Sequence, residues 1–320
     1  MKTIKAVVLD RVTKANDIIL SDFPIPEVRQ GWVLIKVKAF GMNHSEQILR
    51  LNEIEADYIK KPIIPGIECA GEIVDGSDTD FKKGQKVIAL MGGMGRSFNG
   101  SYAEYVLAPA HHVFAVQSSL SWEQLAAIPE TFFTAWGSLF ECLHLTLEDT
   151  LLIRGATCAL GYAAIQLAKA LGCKVIATTH RTDKLPLISN ADVQSVDDSI
   201  LKGKIQGVTK ALELVGPKTI RDTLALMEKG GIVCNTGILG GVFSLNGFDP
   251  IKDIPNGVYL TGFFSNYPTK QIIDDMFRFL NENNIEPPIG KVFDFADIRE
   301  AVTSQDNGKV NGKIVVKVSD

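Results

Sequence analysis

The chain has no Cys-x-x-Cys pair, no block of like charges, no low-complexity run and no internal repeat, and each absence removes a class of protein. Its five cysteines, Cys69, Cys142, Cys158, Cys173 and Cys234, are scattered and odd in number. That pattern argues against a disulfide framework and predicts free thiols in a reducing cytoplasm. Cys69, Cys173 and Cys234 lie in apolar runs and read as small core residues, whereas Cys158 falls on a glycine turn. A net charge of −4 without a charged patch speaks against nucleic acid or an anionic membrane as the principal partner. The longest uncharged stretch, Gly230–Phe248, is interrupted by Gly231, Gly237, Gly240, Gly241 and Gly247, so it reads as strand and loop and not as a membrane span. The opening MKTIKAVVLD lacks the apolar core of a secretory signal and reads as a first strand.

What is present is an ordinary globular composition, 46% hydrophobic and 22% charged over 320 residues, with room for two cores. Through about Ser121 the pattern is one of short alternating strands at Ile4–Leu9, Trp32–Phe40, Ala70–Val74, Gln85–Ala89 and Tyr102–Val106, separated by proline and glycine. Ser121 is a helix N-cap candidate before Trp122–Ile128. Beyond it, strands at Thr150–Arg154, Lys174–Thr178, Val193–Val196, Ala211–Val215, Gly231–Thr236 and Gly257–Phe263 alternate with helical segments. Such alternation predicts a doubly wound parallel sheet. A helix over Thr269–Asn281 leads to strands at Lys291–Phe295 and Gly312–Val318, of the first type. The expected division is therefore 1–121, 122–267, and a return to the first domain over 268–320, an α/β chain with one β-barrel-type domain.

Residues 149–184 form the most informative segment. Thr150–Arg154 is closed by Gly155, and Ala164, Leu167, Ala168 and Leu171 then repeat at helical spacing. A turn that ends a parallel strand and opens a helix aims backbone N–H groups and the helix dipole at a phosphate. The turn runs Gly155, Ala156, Thr157, Cys158, Ala159, Leu160, Gly161, with Cys158 where a dinucleotide fingerprint has another glycine. At the end of the second strand, Thr179, His180 and Arg181 are followed by Lys184, and no carboxylate precedes this basic cluster. A 2′-phosphate would be accommodated there, which predicts NADPH as cofactor; the competing reading of Arg181 and Lys184 is a solvated helix start.

Five motifs, Gly41-Met42-Asn43-His44-Ser45-Glu46, Pro65-Gly66-Ile67-Glu68-Cys69-Ala70-Gly71, Gly100-Ser101-Tyr102-Ala103-Glu104-Tyr105, the dinucleotide unit, and Gly312-Lys313-Ile314-Val315-Val316, occur in an order that resembles the medium-chain dehydrogenase/reductase superfamily. The quinone oxidoreductase-like branch without zinc is the nearest match. The resemblance implies a GroES-like catalytic domain, a Rossmann domain and a cofactor cleft between them. It also implies that the positions of the family's zinc ligands are here Asn43, Ile67 and Glu130. An amide is a poor zinc ligand and isoleucine is none, so no metal is expected.

Without a Lewis acid, a conjugated acceptor suits hydride addition, since the resulting enolate or hydroquinone anion is delocalised. The expected substrate is a quinone or an α,β-unsaturated carbonyl. By resemblance Asn43 lies beside the nicotinamide as a donor to the carbonyl, or alternatively satisfies a turn after Gly41. Tyr58 lies in a loop where related reductases hold a tyrosine, and Thr131 matches a position that contacts the carboxamide. Glu46 and Glu68 fit structural charges better than general acids. Gly216 and the loop Gly237, Ile238 and Leu239 end two strands and should border the cofactor. Phe263, Phe264 and Ser265 could close over the nicotinamide or pack a subunit interface. The edge strand Gly257–Phe263 makes a homodimer the expected assembly. Two other readings stand beside this one: an enoyl-thioester reductase, and a non-catalytic NADPH-binding protein that is redox-responsive through Cys158.

Overall fold

The computed structural model describes residues 2–318, which divide into two compact units. One runs through Glu130 and adds Asn266–Asp275 and the chain from Glu286 onward; the other comprises Thr131–Ser265 and Met276–Ile285. The first crossover lies beyond the expected 121 because the helix Trp122–Ala126 packs against strands of the first unit. Ser121 does cap that helix: its side chain accepts from the Gln124 N–H, and the Gln124 side chain accepts from the Ser121 N–H.

The first unit is built on a sheet in the order Ile289–Asp294, Lys313–Lys317, Trp32–Met42, Glu68–Asp75, Lys86–Leu90, Val113–Ala115, with Tyr105–Pro109 also pairing with Trp32–Met42. All pairings are antiparallel except the first, which is parallel. Trp32–Met42 is the spine, since Val33, Ile35, Val37, Phe40 and Met42 all enter the core. A separate pair joins Thr3–Val7 to Leu20–Pro24. The latter strand escaped sequence reasoning because none of its residues is fully buried, which leaves no hydrophobic alternation to read.

The second unit holds a six-stranded, wholly parallel sheet in the order Val193–Val196, Lys174–Thr179, Thr150–Arg154, Val208–Glu213, Met227–Asn235, Tyr259–Gly262. Chain order reverses between Thr150–Arg154 and Val208–Glu213, which makes their carboxyl ends the topological switch point where ligands bind in such sheets. The strand expected at Ala211–Val215 stops at Glu213 because the Glu213 carboxylate accepts from the Val215 and Gly216 N–H groups and turns the chain. The helix Ala159–Leu171 buries Ala163, Ala164, Leu167 and Ala168 and is closed by Gly172. Among the described residues, no helix is long and apolar enough to cross a membrane.

Candidate active site

At the switch point, the residues expected to bind a dinucleotide are brought together by backbone bonds. Gly155 has φ +84°, a conformation L side chains rarely adopt, and this lets the chain leave the strand abruptly. The Ala156 N–H donates to the Thr178 carbonyl at 2.8 Å, and the Gly155 N–H to Thr178 Oγ1 at 3.3 Å. Thr157 and Thr179 hydroxyls lie 3.0 Å apart, and Thr179 Oγ1 also accepts from the Arg181 N–H. The glycine turn and the end of the second strand are thus one unit. Cys158 is the N-cap of the helix, its Sγ accepting from the Gly161 N–H at 3.4 Å. Burial pushes its thiol above the ordinary value, against the opposing Gly161 and Leu160 N–H groups and Lys184.

Of the basic cluster, His180 and Arg181 are exposed and Lys184 is half-buried. Arg181 is not a free cation: its Nε and Nη2 donate to Asp183 at 3.0 and 2.5 Å. Sequence reasoning missed Asp183 as a competitor because it lies within the cluster, between Arg181 and Lys184, where a carboxylate also reads as a helix-start residue. On the other side of the switch point, the Gly237 N–H donates to the Glu213 carbonyl and the Leu239 N–H to the Leu214 carbonyl, so the Gly216 and Gly237–Leu239 loops lie side by side. Thr131 is buried in the helix Pro129–Trp136. Phe263 is packed edge-on against Phe133, with centroids 5.6 Å apart, while Phe264 is largely exposed and Ser265 half-buried.

Beneath the turn lies a group the sequence did not reveal. Arg154, 0% exposed, donates to both Asp197 oxygens at 2.7 and 2.9 Å, to Asp222 at 2.8 Å and to Thr223 Oγ1 at 2.9 Å. Its only signal was an arginine ending an otherwise apolar strand, which reads equally well as an exposed strand end.

In the first unit, Asn43 follows the long strand and is the N-cap of the helix His44–Leu51, an element absent from the sequence reading. Its N–H donates to Glu46 Oε2 at 2.7 Å, and its carbonyl accepts from Gln305 Nε2 at 2.9 Å. The side chain sits between two buried charges: Nδ2 donates to Glu68 Oε1 at 2.8 Å, and Oδ1 accepts from Lys313 Nζ at 2.6 Å. Lys313 and Glu68 are themselves 2.5 Å apart, at 1% and 0% side-chain exposure. Glu68 Oε2 also accepts from the Glu130 N–H. Burial, with Glu68 adding to it, pushes the Glu46 carboxyl up to about 7, against the pull of Lys313 and of the Asn43 N–H. Tyr58 is 64% exposed and its hydroxyl donates to Glu53 at 3.1 Å; burial and Glu53 raise its pKa above the ordinary value. The structure shows no bond between Tyr58 and the Asn43 group. Lys313 was missed as a site residue because a lysine at the start of a strand ordinarily faces water.

A Rossmann-ordered parallel sheet and a GroES-like antiparallel sheet in one chain define a nicotinamide-type oxidoreductase architecture. Residues 29–118 match the family described as "Alcohol dehydrogenase GroES-like domain", and residues 188–316 match "Zinc-binding dehydrogenase". The quinone oxidoreductase of Lama guanicoe is 32% identical over 68% of this chain and 67% of its own length. That of Pongo abelii is 29% identical over 92% of each chain. The solved quinone oxidoreductase from Coxiella burnetii superposes with a TM-score of 0.85 at 24% identity, covering 99% of this chain and 100% of that one. The chain belongs to the medium-chain dehydrogenase/reductase superfamily, as an oxidoreductase of quinone oxidoreductase-like type.

The zinc named by the second family does not fit the residues present. The Asn43 oxygen that would have to ligate a metal already accepts from the Lys313 ammonium, and Ile67 offers no side-chain donor. Among the described residues no group of three or more His, Cys, Asp or Glu is placed to hold a metal ion.

Proposed function

We propose that the protein is an NADPH-dependent reductase of quinones or α,β-unsaturated carbonyls that uses no metal. The observation that carries this reading is the Asn43 side chain, an amide donor held between Lys313 and Glu68 at a position where metal-dependent relatives place a ligand. The glycine turn Gly155–Gly161 would hold the pyrophosphate through its N–H groups and the dipole of the helix Ala159–Leu171. His180, Arg181 and Lys184 would face the 2′-phosphate, and Thr131, Gly216 and Gly237–Leu239 would line the nicotinamide half. NADPH, when bound, supplies the hydride. The work left to the chain is to stabilise negative charge growing on the acceptor oxygen, and Asn43 Nδ2 is the donor assigned to it. Tyr58 is the candidate proton source, a role that requires its hydroxyl to leave Glu53. In this reading the assembly is a cytoplasmic homodimer formed through the terminal strand Tyr259–Gly262, where Tyr259 is 61% exposed.

The test is steady-state reduction of a simple quinone and a simple enone by Asn43→Ala and Asn43→Asp, with NADPH titration of each. Losing one oxyanion donor lowers kcat by on the order of a hundredfold while NADPH binding changes much less. Asn43→Asp should be impaired as well, since an ionised carboxylate would face the developing charge. Full activity in both variants would remove Asn43 from the chemistry. No turnover of any conjugated acceptor by the wild type would leave a protein that binds NADPH without catalysis.

A further inference from the structure

Asn43 is the meeting point of two strands and a helix. The strand Lys313–Lys317 runs antiparallel to Trp32–Met42, with Ile314 opposite Met42 and Val315 opposite Gly41. This register brings Lys313, the next residue along its strand, beside Asn43. The close approach depends on Gly41: a Cβ there would stand 2.4 Å from Lys313 Cε and 2.5 Å from Glu68 Oε1, so any larger residue would displace the ion pair.

The two ends of an asparagine carboxamide are nearly the same shape, so shape alone does not choose its orientation. Charge does. An ammonium can only donate and a carboxylate can only accept, so Lys313 faces Oδ1 and Glu68 faces Nδ2. With the backbone N–H of Asn43 on Glu46 and its carbonyl on Gln305, every polar atom of the residue has a partner among the described residues, yet Nδ2 carries two hydrogens and makes one bond. The second hydrogen lies in a plane and direction set by the other bonds.

We propose that Lys313 is a positioning residue that, with Glu68, locks the Asn43 carboxamide so that its remaining Nδ2 hydrogen is presented to the acceptor oxygen. This rests on the reading of Asn43 as the oxyanion donor. Lys313 does not touch substrate in this scheme. Its ammonium excludes the flipped amide, in which Oδ1 would meet the growing negative charge. Replacing Lys313 alone would strand a buried carboxylate, which is costly whatever the role of the pair. A doubly neutral variant avoids that, because it removes both members of the pair and leaves neither without its partner.

The experiment compares full-length wild type, Asn43→Ala, Lys313→Arg, the double variant Glu68→Gln/Lys313→Met, and the triple variant that adds Asn43→Ala to it. Each is measured for Tm, NADPH affinity, and kcat and KM with 1,4-benzoquinone and 2-cyclohexenone. The double variant should bind NADPH as the wild type does and keep its acceptor KM within a fewfold, while kcat drops roughly ten- to a hundredfold. Adding Asn43→Ala to it should cost nothing further, since both changes remove the same donor. Lys313→Arg keeps a cationic donor for Oδ1 and should recover most of kcat. A double variant with wild-type kcat beside an impaired Asn43→Ala overturns the positioning role and leaves the donor reading standing. So do losses that multiply in the triple variant, and an arginine variant as slow as the double. Asn43→Ala at full kcat overturns the donor reading and this proposal with it.

Discussion

The Arg154 guanidinium grips the Asp197 carboxylate with two bonds, 2.7 and 2.9 Å long, at 0% and 6% side-chain exposure, immediately before the glycine turn at Gly155. Asp222 takes a third bond from the same cation. The strand end at the switch point is therefore anchored by charge and not only by packing. Removing the cation leaves buried carboxylates uncompensated, so Arg154→Met should destabilise the protein by about 3–5 kcal/mol. Urea denaturation followed by fluorescence measures this, and an unchanged midpoint would show that the network contributes nothing net.

In the proposed reading, Arg181 and Asp183 set cofactor choice. A guanidinium that donates to the 2′-phosphate favours NADPH alone, so Arg181→Ala should weaken NADPH binding roughly ten- to a hundredfold and leave NADH nearly unaffected. Asp183 now occupies the Arg181 fork, so Asp183→Ala should tighten NADPH, because the guanidinium no longer has to leave a carboxylate to meet the phosphate. Titrations of the three proteins with both cofactors decide the matter. Equal wild-type affinities for NADPH and NADH would refute the assignment.

Glu46 makes stability depend on pH. Its carboxyl, raised by burial from 4.5 to about 7 in the folded chain, binds a proton between those values that the unfolded chain has released. The stabilisation from that proton is fully present below the unfolded value and is lost as pH rises through the folded one. Glu46→Gln, a mimic of the protonated form, should therefore gain on the wild type between pH 5 and pH 8, by about 2–3 kcal/mol. Denaturation midpoints at the two pH values test this; parallel behaviour of the two proteins would contradict it.

Metal content follows from the occupied Asn43 oxygen and the apolar Ile67. Elemental analysis of the purified protein should find no stoichiometric zinc, and chelators should leave turnover unchanged. One tightly held zinc per chain, with activity lost on its removal, would contradict the donor-set argument.

The sequence alone determined the elements whose information is local. The strands Thr150–Arg154 and Val193–Val196 carry the expected bounds, and the Ser121 cap and the glycine turn at Gly155 are also where the pattern put them, because alternation, helical spacing and capping chemistry act over a few residues. The superfamily was legible for a different reason, the order of five short motifs along the chain. Tertiary structure alone decided what long-range pairing creates. Lys313 and Glu68 each sit in an apolar strand where a charge ordinarily points to water, and only the registers of Lys313–Lys317 and of Glu68–Asp75 against Trp32–Met42 bring them onto Asn43. Asp197 and Asp222 meet Arg154 from separate segments in the same way. A buried charge is tolerated only where a partner of opposite sign is delivered to it, and that delivery depends on how distant strands pair, which no local pattern records.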